Sequence, residues 1–372
     1  MRSGSDATDA AVLCLPHNLA QVYCPWLAPC VRVGQNSTTV LATALNQTCD
    51  PFMNDHQTTT PARSDLKTLH WTHCPGCGAT DLESLGRYDT HEVPINVALC
   101  RQCGLVFVNP MLTDEAKAMP GPGVRRMHRS RSAELTDQRA LERSRSRAGR
   151  WEYVIASQLK PGSRVLEIGS GDGAVVELLL KHGHHPVALD PDVESCRFLQ
   201  RQFNIETIPS RLQDAPLQAL KGFDAVFMLH LIEHLEDPAA ALSRIGQGLD
   251  PGTLLAIETP NILRTKVGPK RMYSLPHNYY FSPVSLMQLV ARQGFRPTLC
   301  RTFNLDMFHV VARRSADSMA ALPDPGKNAA EVRDAILHHR RRYLLSGQFL
   351  LRKIPGFSEW YLYGRYHDQS FD

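Results

Sequence analysis

From residue 151 to about residue 314 the chain alternates two hydrophobic patterns. Short apolar runs of strand length (RVLEIGS, HPVALD, FDAVFML, TLLAIETP) are separated by segments with helical spacing, AVVELLLKHG, VESCRFLQRQF and two helices starting at Asp237 and Ser282. FRPTLCRTF and MFHVVARR close the series. Strands alternating with helices across short loops predict a doubly wound α/β fold, its mostly parallel sheet covered on both faces. Outside this block the pattern fades. Residues 1–66 hold neither period and are expected to form a disordered N-terminal arm, with TTTPARSD as linker. Residues 67–112 form a compact cysteine-rich unit, 113–150 a basic helical connector, and 151–314 the α/β domain. Residues 315–372 read as a linker (LPDPGK), a helix from Ala329 to about Leu345, and an aromatic segment, FSEWYLYGRYHD.

Composition adds limits. The 372 residues are 43% hydrophobic and 21% charged, with a formal charge of +4, ordinary values for a globular chain. No apolar run reaches the roughly 20 residues that span a bilayer. Asp6 and Asp9, then Pro16, His17 and Asn18, spoil the start as a secretory leader, so a cytoplasmic setting is expected. In such a setting two Cys-x-x-Cys pairs point to metal rather than to disulfides. The irregularly spaced Cys14, Cys24, Cys30 and Cys49 suggest no second site. The stretch RRMHRSRSAELTDQRALERSRSRAGR has no aromatic residue before Trp151 to stack on bases, which favours a solvated connector over a nucleic-acid grip. The expected partner is a small molecule, and the sequence sets no oligomeric state.

The chemistry begins at VLEIGSGDG, residues 165–173. Glycines let the backbone approach a ligand, and the helix that follows offers unpaired amides and a partial positive charge. A dinucleotide turn would read G-x-G-x-x-G, but here the third glycine comes one residue early and Glu167 precedes the turn. A carboxylate there suits a cationic ligand, and Asp190, ending the second strand, suits two ribose hydroxyls. The ligand should carry both an adenosine ribose and a positive group.

These residues, together with ALDPD, FDAVFMLHLIEHLEDP, LDPGTLLAIETPN and HNYYFSPVSLMQLVARQGF in that order, resemble the class I S-adenosylmethionine-dependent methyltransferases. The resemblance implies a seven-stranded, Rossmann-like sheet. It also implies that Glu167, Gly169 and Gly171 line the methionine part of S-adenosyl-L-methionine, that Asp190 holds the ribose, and that Asp214 lies near the adenine. LDPGT departs from the Lys-Pro-Gly-Gly frequent in the family, which touches a loop edge only.

HCPGCGATD and LCRQCGLVF place Cys74 with Cys77 and Cys100 with Cys103. Two such knuckles predict a closed four-cysteine site for a structural Zn2+, folding a ribbon with little apolar surface of its own. The ribbon followed by GLVFVNP is similar to bacterial methyltransferases of sugars and other small hydroxylated metabolites, where a zinc-bearing N-terminal domain helps form the acceptor site.

Methyl transfer is an in-line displacement needing alignment and, for a hydroxyl acceptor, a base. His230, at the mouth of the fourth strand, is the first choice for that base, and His277 the second. H-x-x-E-H (His230, Glu233, His234) with distant His277 is similar to the E-x-x-E-H of ubiquinone-pathway and small-RNA 2′-O-methyltransferases, where a divalent metal can bind. His230 replaces the first acid here, so metal-independent turnover is expected. Two further readings use the same residues. One is an RNA or protein methyltransferase gripping a polymer through ribbon and connector; the other is a non-catalytic ribbon module with a vestigial cofactor fold.

Overall fold

The computed structural model describes residues 67–90, 93–113, 116, 137–264, 268, 272–274, 276–303, 307–318, 322–345 and 367–370. The expected N-terminal arm, positions 117–136 of the connector, and residues 346–366, which include most of the aromatic segment, lie outside the described residues.

Five short strands come first: β1 (Thr68–Leu69), β2 (Leu82–Thr90), β3 (Val93–Cys100), β4 (Val106–Val108) and β5 (Met111–Leu112). Helix α1 (Gln138–Ala148), a 3-10 turn (Gly149–Trp151) and α2 (Glu152–Gln158) lead into the α/β block. Within it β6 (Arg164–Ile168), α3 (Ala174–Lys181), β7 (His185–Leu189), α4 (Val193–Phe203), β8 (Glu206–Ile208), β9 (Ala225–Leu229), α5 (Pro238–Gly248) and β10 (Leu254–Pro260) alternate. Then follow β11 (Tyr279–Tyr280), α6 (Pro283–Arg292), β12 (Phe295–Phe303), β13 (Met307–Arg314), α7 (Pro325–Leu337), α8 (His339–Leu345) and β14 (His367–Ser370).

Local chemistry explains several of these starts. Asp192 opens α4, Asp237 opens α5 and Ser282 opens α6, each side chain accepting a first-turn amide that would otherwise lack a partner. Asp324 does the same for α7, with Pro325 at the first helical position. That cap corrects the sequence expectation: the C-terminal helix begins at Pro325 inside LPDPGK rather than at Ala329, and it stops at Leu337 before α8 begins.

The large sheet runs β14-β12-β13-β10-β9-β6-β7-β8. β8, β7, β6, β9 and β10 pair in parallel, and β13 returns antiparallel between β10 and β12. This is the expected seven-stranded mixed sheet, with β14 added at one edge. The central strands read as unbroken apolar runs because both faces are covered: Val165, Leu166 and Ile168 of β6 are buried.

A second, antiparallel sheet runs β11-β4-β3-β2. Three of its strands come from the cysteine-rich unit, but β11 arrives from beyond β10, with Tyr279 opposite Phe107 and Tyr280 opposite Val106. One apolar core spans both sheets, joining Leu99, Leu105 and Phe107 to Leu166, Met228 and Ile257. Among the described residues no helix is long and apolar enough to cross a membrane.

Candidate functional site

The glycine turn after β6 forms a cradle closed by backbone contacts. The Gly169 amide donates to the Leu189 carbonyl (2.8 Å), and the Gly173 amide to that of Ser170 (2.9 Å). Gly173 has a φ of +75°, and a Cβ there would collide with Leu199 of α4, so glycine is required on both counts. Asp190 is buried at the end of β7, accepting from the Gly171 amide (3.0 Å) and the Asp192 amide (2.9 Å). Each oxygen therefore keeps acceptor capacity for a hydroxyl.

Glu167 is buried beneath the turn, and its Oε2 has no hydrogen-bond partner; Ser170 Oγ is likewise buried and unpaired. Buried polar atoms are normally satisfied, so these two mark where a ligand's polar groups belong. Burial, and then the nearby Asp172 and Asp190 carboxylates, push the Glu167 carboxyl well above its usual range. A cationic ligand group would restore its charge. Together with the open glycine backbone, this fits the methionine end of S-adenosylmethionine. The structure thus gathers Glu167, Gly169, Gly171 and Asp190, while Asp214 stands exposed in the turn after β8.

The raised Glu167 carboxyl makes a measurable prediction. Between the ordinary carboxylate range and its raised value, the free protein holds a proton there, and pairing with a cation expels it. S-adenosylhomocysteine titrated at mildly acidic pH, in buffers of different ionisation enthalpy, should release about one proton. Glu167→Gln should abolish the buffer dependence; a slope of zero in the wild type would sink the assignment.

Beyond the cradle, the loop after β9 meets the segment before β11. The Glu233 carbonyl accepts from the Asn278 amide (2.7 Å), Asn278 Nδ2 donates to the His234 and Leu235 carbonyls, and Tyr279 Oη donates to that of Glu236 (2.6 Å). This staple brings ligand atoms of Glu233, His234 and His277 within 4.8 Å of one another. His234 Nδ1 donates to the Pro276 carbonyl (2.9 Å), which leaves Nε2 carrying the lone pair in the neutral ring.

His230 is placed differently. Its φ of +50° is unusual for a side-chain-bearing residue. Nδ1 lies 3.4 Å from Glu233 and Nε2 2.8 Å from Glu258. Burial works against its charge, but the two carboxylates prevail and hold its pKa up at about 9. The two carboxylates thus favour the protonated ring as ion-pair partners, without hydrogen-bond geometry at Nε2.

Glu258, on β10, is fully buried and also meets Arg150 and His309. Burial would raise its carboxyl, yet His309, His230 and Arg150 outweigh that and keep it well below the usual range. His309 stacks on Trp151 (centroids 3.7 Å apart) and its Nδ1 meets Tyr153 Oη (3.1 Å); burial lowers its pKa to about 4. Sequence patterns missed this hub because Arg150, Glu258 and His309 sit on three separate elements.

The four cysteines converge. Cys74 and Cys103 sulfurs lie 3.7 Å apart and Cys77 and Cys100 sulfurs 3.6 Å, with all four within 4.8 Å. Those separations are far beyond a disulfide and match thiolates around a tetrahedral ion bound at about 2.3 Å. The Gly76 amide faces Cys74 Sγ (3.4 Å).

With the fold and geometry in place, comparisons with known proteins agree. Residues 133–299 match the family described as "Methyltransferase domain". This match and the mixed sheet support a class I, S-adenosylmethionine-dependent methyltransferase domain over that stretch. The chain is similar to the ubiquinone biosynthesis O-methyltransferase of Xanthomonas campestris, with 30% identity over 117 residues, covering 30% of this chain and 49% of that one. It is also similar to the tRNA U34 carboxymethyltransferase of Azotobacter vinelandii, with 28% identity over 189 residues, covering 47% and 58%. The chain thus spans about half the length of the curated relatives it matches. Among solved structures, the N-methyltransferase NodS of Bradyrhizobium japonicum, in complex with S-adenosylhomocysteine, superposes with a TM-score of 0.39 at 17% identity, covering 50% of this chain and 96% of that one.

Proposed function

We propose that this chain transfers the methyl group of S-adenosylmethionine to an oxygen or carbon of a small hydroxylated or sugar-linked metabolite, in a cytoplasmic setting. The observation carrying the proposal is the pair of buried carboxylates, Glu167 and Asp190, converging on the glycine turn. Glu167 meets the cationic methionine end, Asp190 the ribose hydroxyls, Gly169 and Gly171 give close backbone approach, and Asp214 serves the adenine edge. A structural zinc held by Cys74, Cys77, Cys100 and Cys103 supports the second sheet.

For the acceptor, the geometry favours a revision of the base. His230 lies between two carboxylates, which favour its charged, donating form over a proton-accepting one. His234, whose tautomer is fixed by the Pro276 carbonyl, keeps Nε2 as the acceptor atom of its neutral ring, the ring lies 4.8 Å from that of His277, and these two share the acid–base role. The protein aligns the acceptor oxygen for in-line attack and removes its proton during transfer. Calorimetric titration with S-adenosylhomocysteine tests the cofactor assignment: micromolar binding supports it and justifies an acceptor screen beginning with nucleotide sugars. A folded, metal-loaded sample that binds nothing would refute it.

Two observations favour second readings. The clustering of Glu233, His234 and His277 also suits a divalent cation beside the acceptor. EDTA treatment followed by Mg2+ or Mn2+ is expected to leave turnover unchanged, whereas a metal-dependent rate would make these residues ligands. Exposed Arg139, Arg143 and Arg147 lie along one side of α1, and one relative is named for tRNA, which favours an RNA acceptor. Acceptor binding that falls steeply with salt would support that reading over a small metabolite.

A further inference from the structure

The C-terminal helix α7 packs directly on the second cysteine knuckle. Asn328 in its first turns is buried; its Nδ2 donates to the Cys103 carbonyl (2.7 Å), and its Oδ1 accepts from Ser282 Oγ (2.8 Å), the residue that caps α6. One side chain thus ties the knuckle, the start of α6 and the tail. Gly104, next to Cys103, has a φ of +77°, and a Cβ there would run into Asn328 and the Ala329 backbone. On the solvent side Arg333 of α7 pairs with Glu83 of β2 (2.8 Å), and Arg101, inside the same knuckle, reaches that carboxylate too (3.0 Å). Val332 and Ile336 enter the core shared by the two sheets.

We propose that α7 is a latch on the four-cysteine metal site, with Asn328 as the residue beyond the ligands that fixes Cys103 in its coordinating position. Groups hydrogen-bonded to ligand residues hold those ligands in place, and removing such a partner commonly costs about 10–100-fold in metal affinity. The coupling is reciprocal: if the docked tail holds the ion, the ion holds the tail. Segments 225 residues apart in the chain therefore stabilise each other through one amide group.

The proposal rests on the cysteines holding zinc, and elemental analysis of the full-length protein establishes that first; a metal-free, folded protein would refute the zinc assignment itself. With zinc present, release to the chromophoric chelator 4-(2-pyridylazo)resorcinol is compared for wild type, Asn328→Ala and Arg333→Ala. Asn328→Ala should release zinc about tenfold or more faster, within the range for residues that orient metal ligands. Arg333→Ala, an exposed substitution that leaves the core intact, should give a smaller increase. S-adenosylhomocysteine affinity should stay within about twofold in both, since neither residue touches the cradle. Equal release rates in folded variants would overturn the latch. If Asn328→Ala does not fold, amide exchange in the wild type decides: chelation should expose α7 amides, and unchanged protection there would overturn the proposal.

Discussion

Asp190→Ala should weaken S-adenosylhomocysteine binding by about tenfold or more, the loss of roughly one charge-assisted hydrogen bond. The direction follows from the cradle. Asp190 offers acceptor capacity to the ribose, and it also gathers the Gly171 and Asp192 amides that hold the turn in shape. Alanine removes both contributions. Asp190→Asn keeps an oxygen for one amide but loses the charge, so it should recover part of the affinity. Calorimetry on the three proteins separates the effects, and unchanged affinity in Asp190→Ala would refute the ribose assignment.

Cys100→Ala should cost the protein its metal and at least about 4 kcal/mol of stability, the scale associated with losing a structural ion. For a chain of this size that lowers the melting midpoint by roughly 5 °C or more. The loss should spread beyond the knuckle, because Cys100 is fully buried in the same core as Leu166 and Ile257. Calorimetric melting with elemental analysis checks the prediction. A variant that keeps one zinc per chain, or melts with the wild type, would show that the cysteines do not build a load-sharing metal centre.

Much of the fold could be read from the chain because its signals are local. The runs around Val165, Val187 and Phe227 are buried on both faces and lie where periodicity put them. Asp237 and Ser282 cap the helices they were expected to start. The same signal stands in LPDPGK, where Asp-Pro opens α7, but proline and glycine together are also the mark of a linker. At the candidate site, Glu167, Gly169, Gly171 and Asp190 were legible because the turn brings near sequence neighbours together with the next strand. The state of His230 was not: its charge depends on Glu258, held in turn by Arg150 and His309, and each lies on a different element. The staple between Asn278 and the loop after β9 was hidden for the same reason, since its partners are 43 to 45 residues apart.

The pairing of β11 with β4 carries one more consequence, for how such a chain can be assembled and exchanged. Phe107 and Val106 find their outer neighbours only in Tyr279 and Tyr280, which are synthesised long after them. During translation the early cysteine strands must wait with one edge open until most of the α/β block has emerged. In descent the same dependence ties the two parts together. A protein that received the cysteine unit would keep the same closed edge only if it also supplied a late segment like Tyr279–Tyr280.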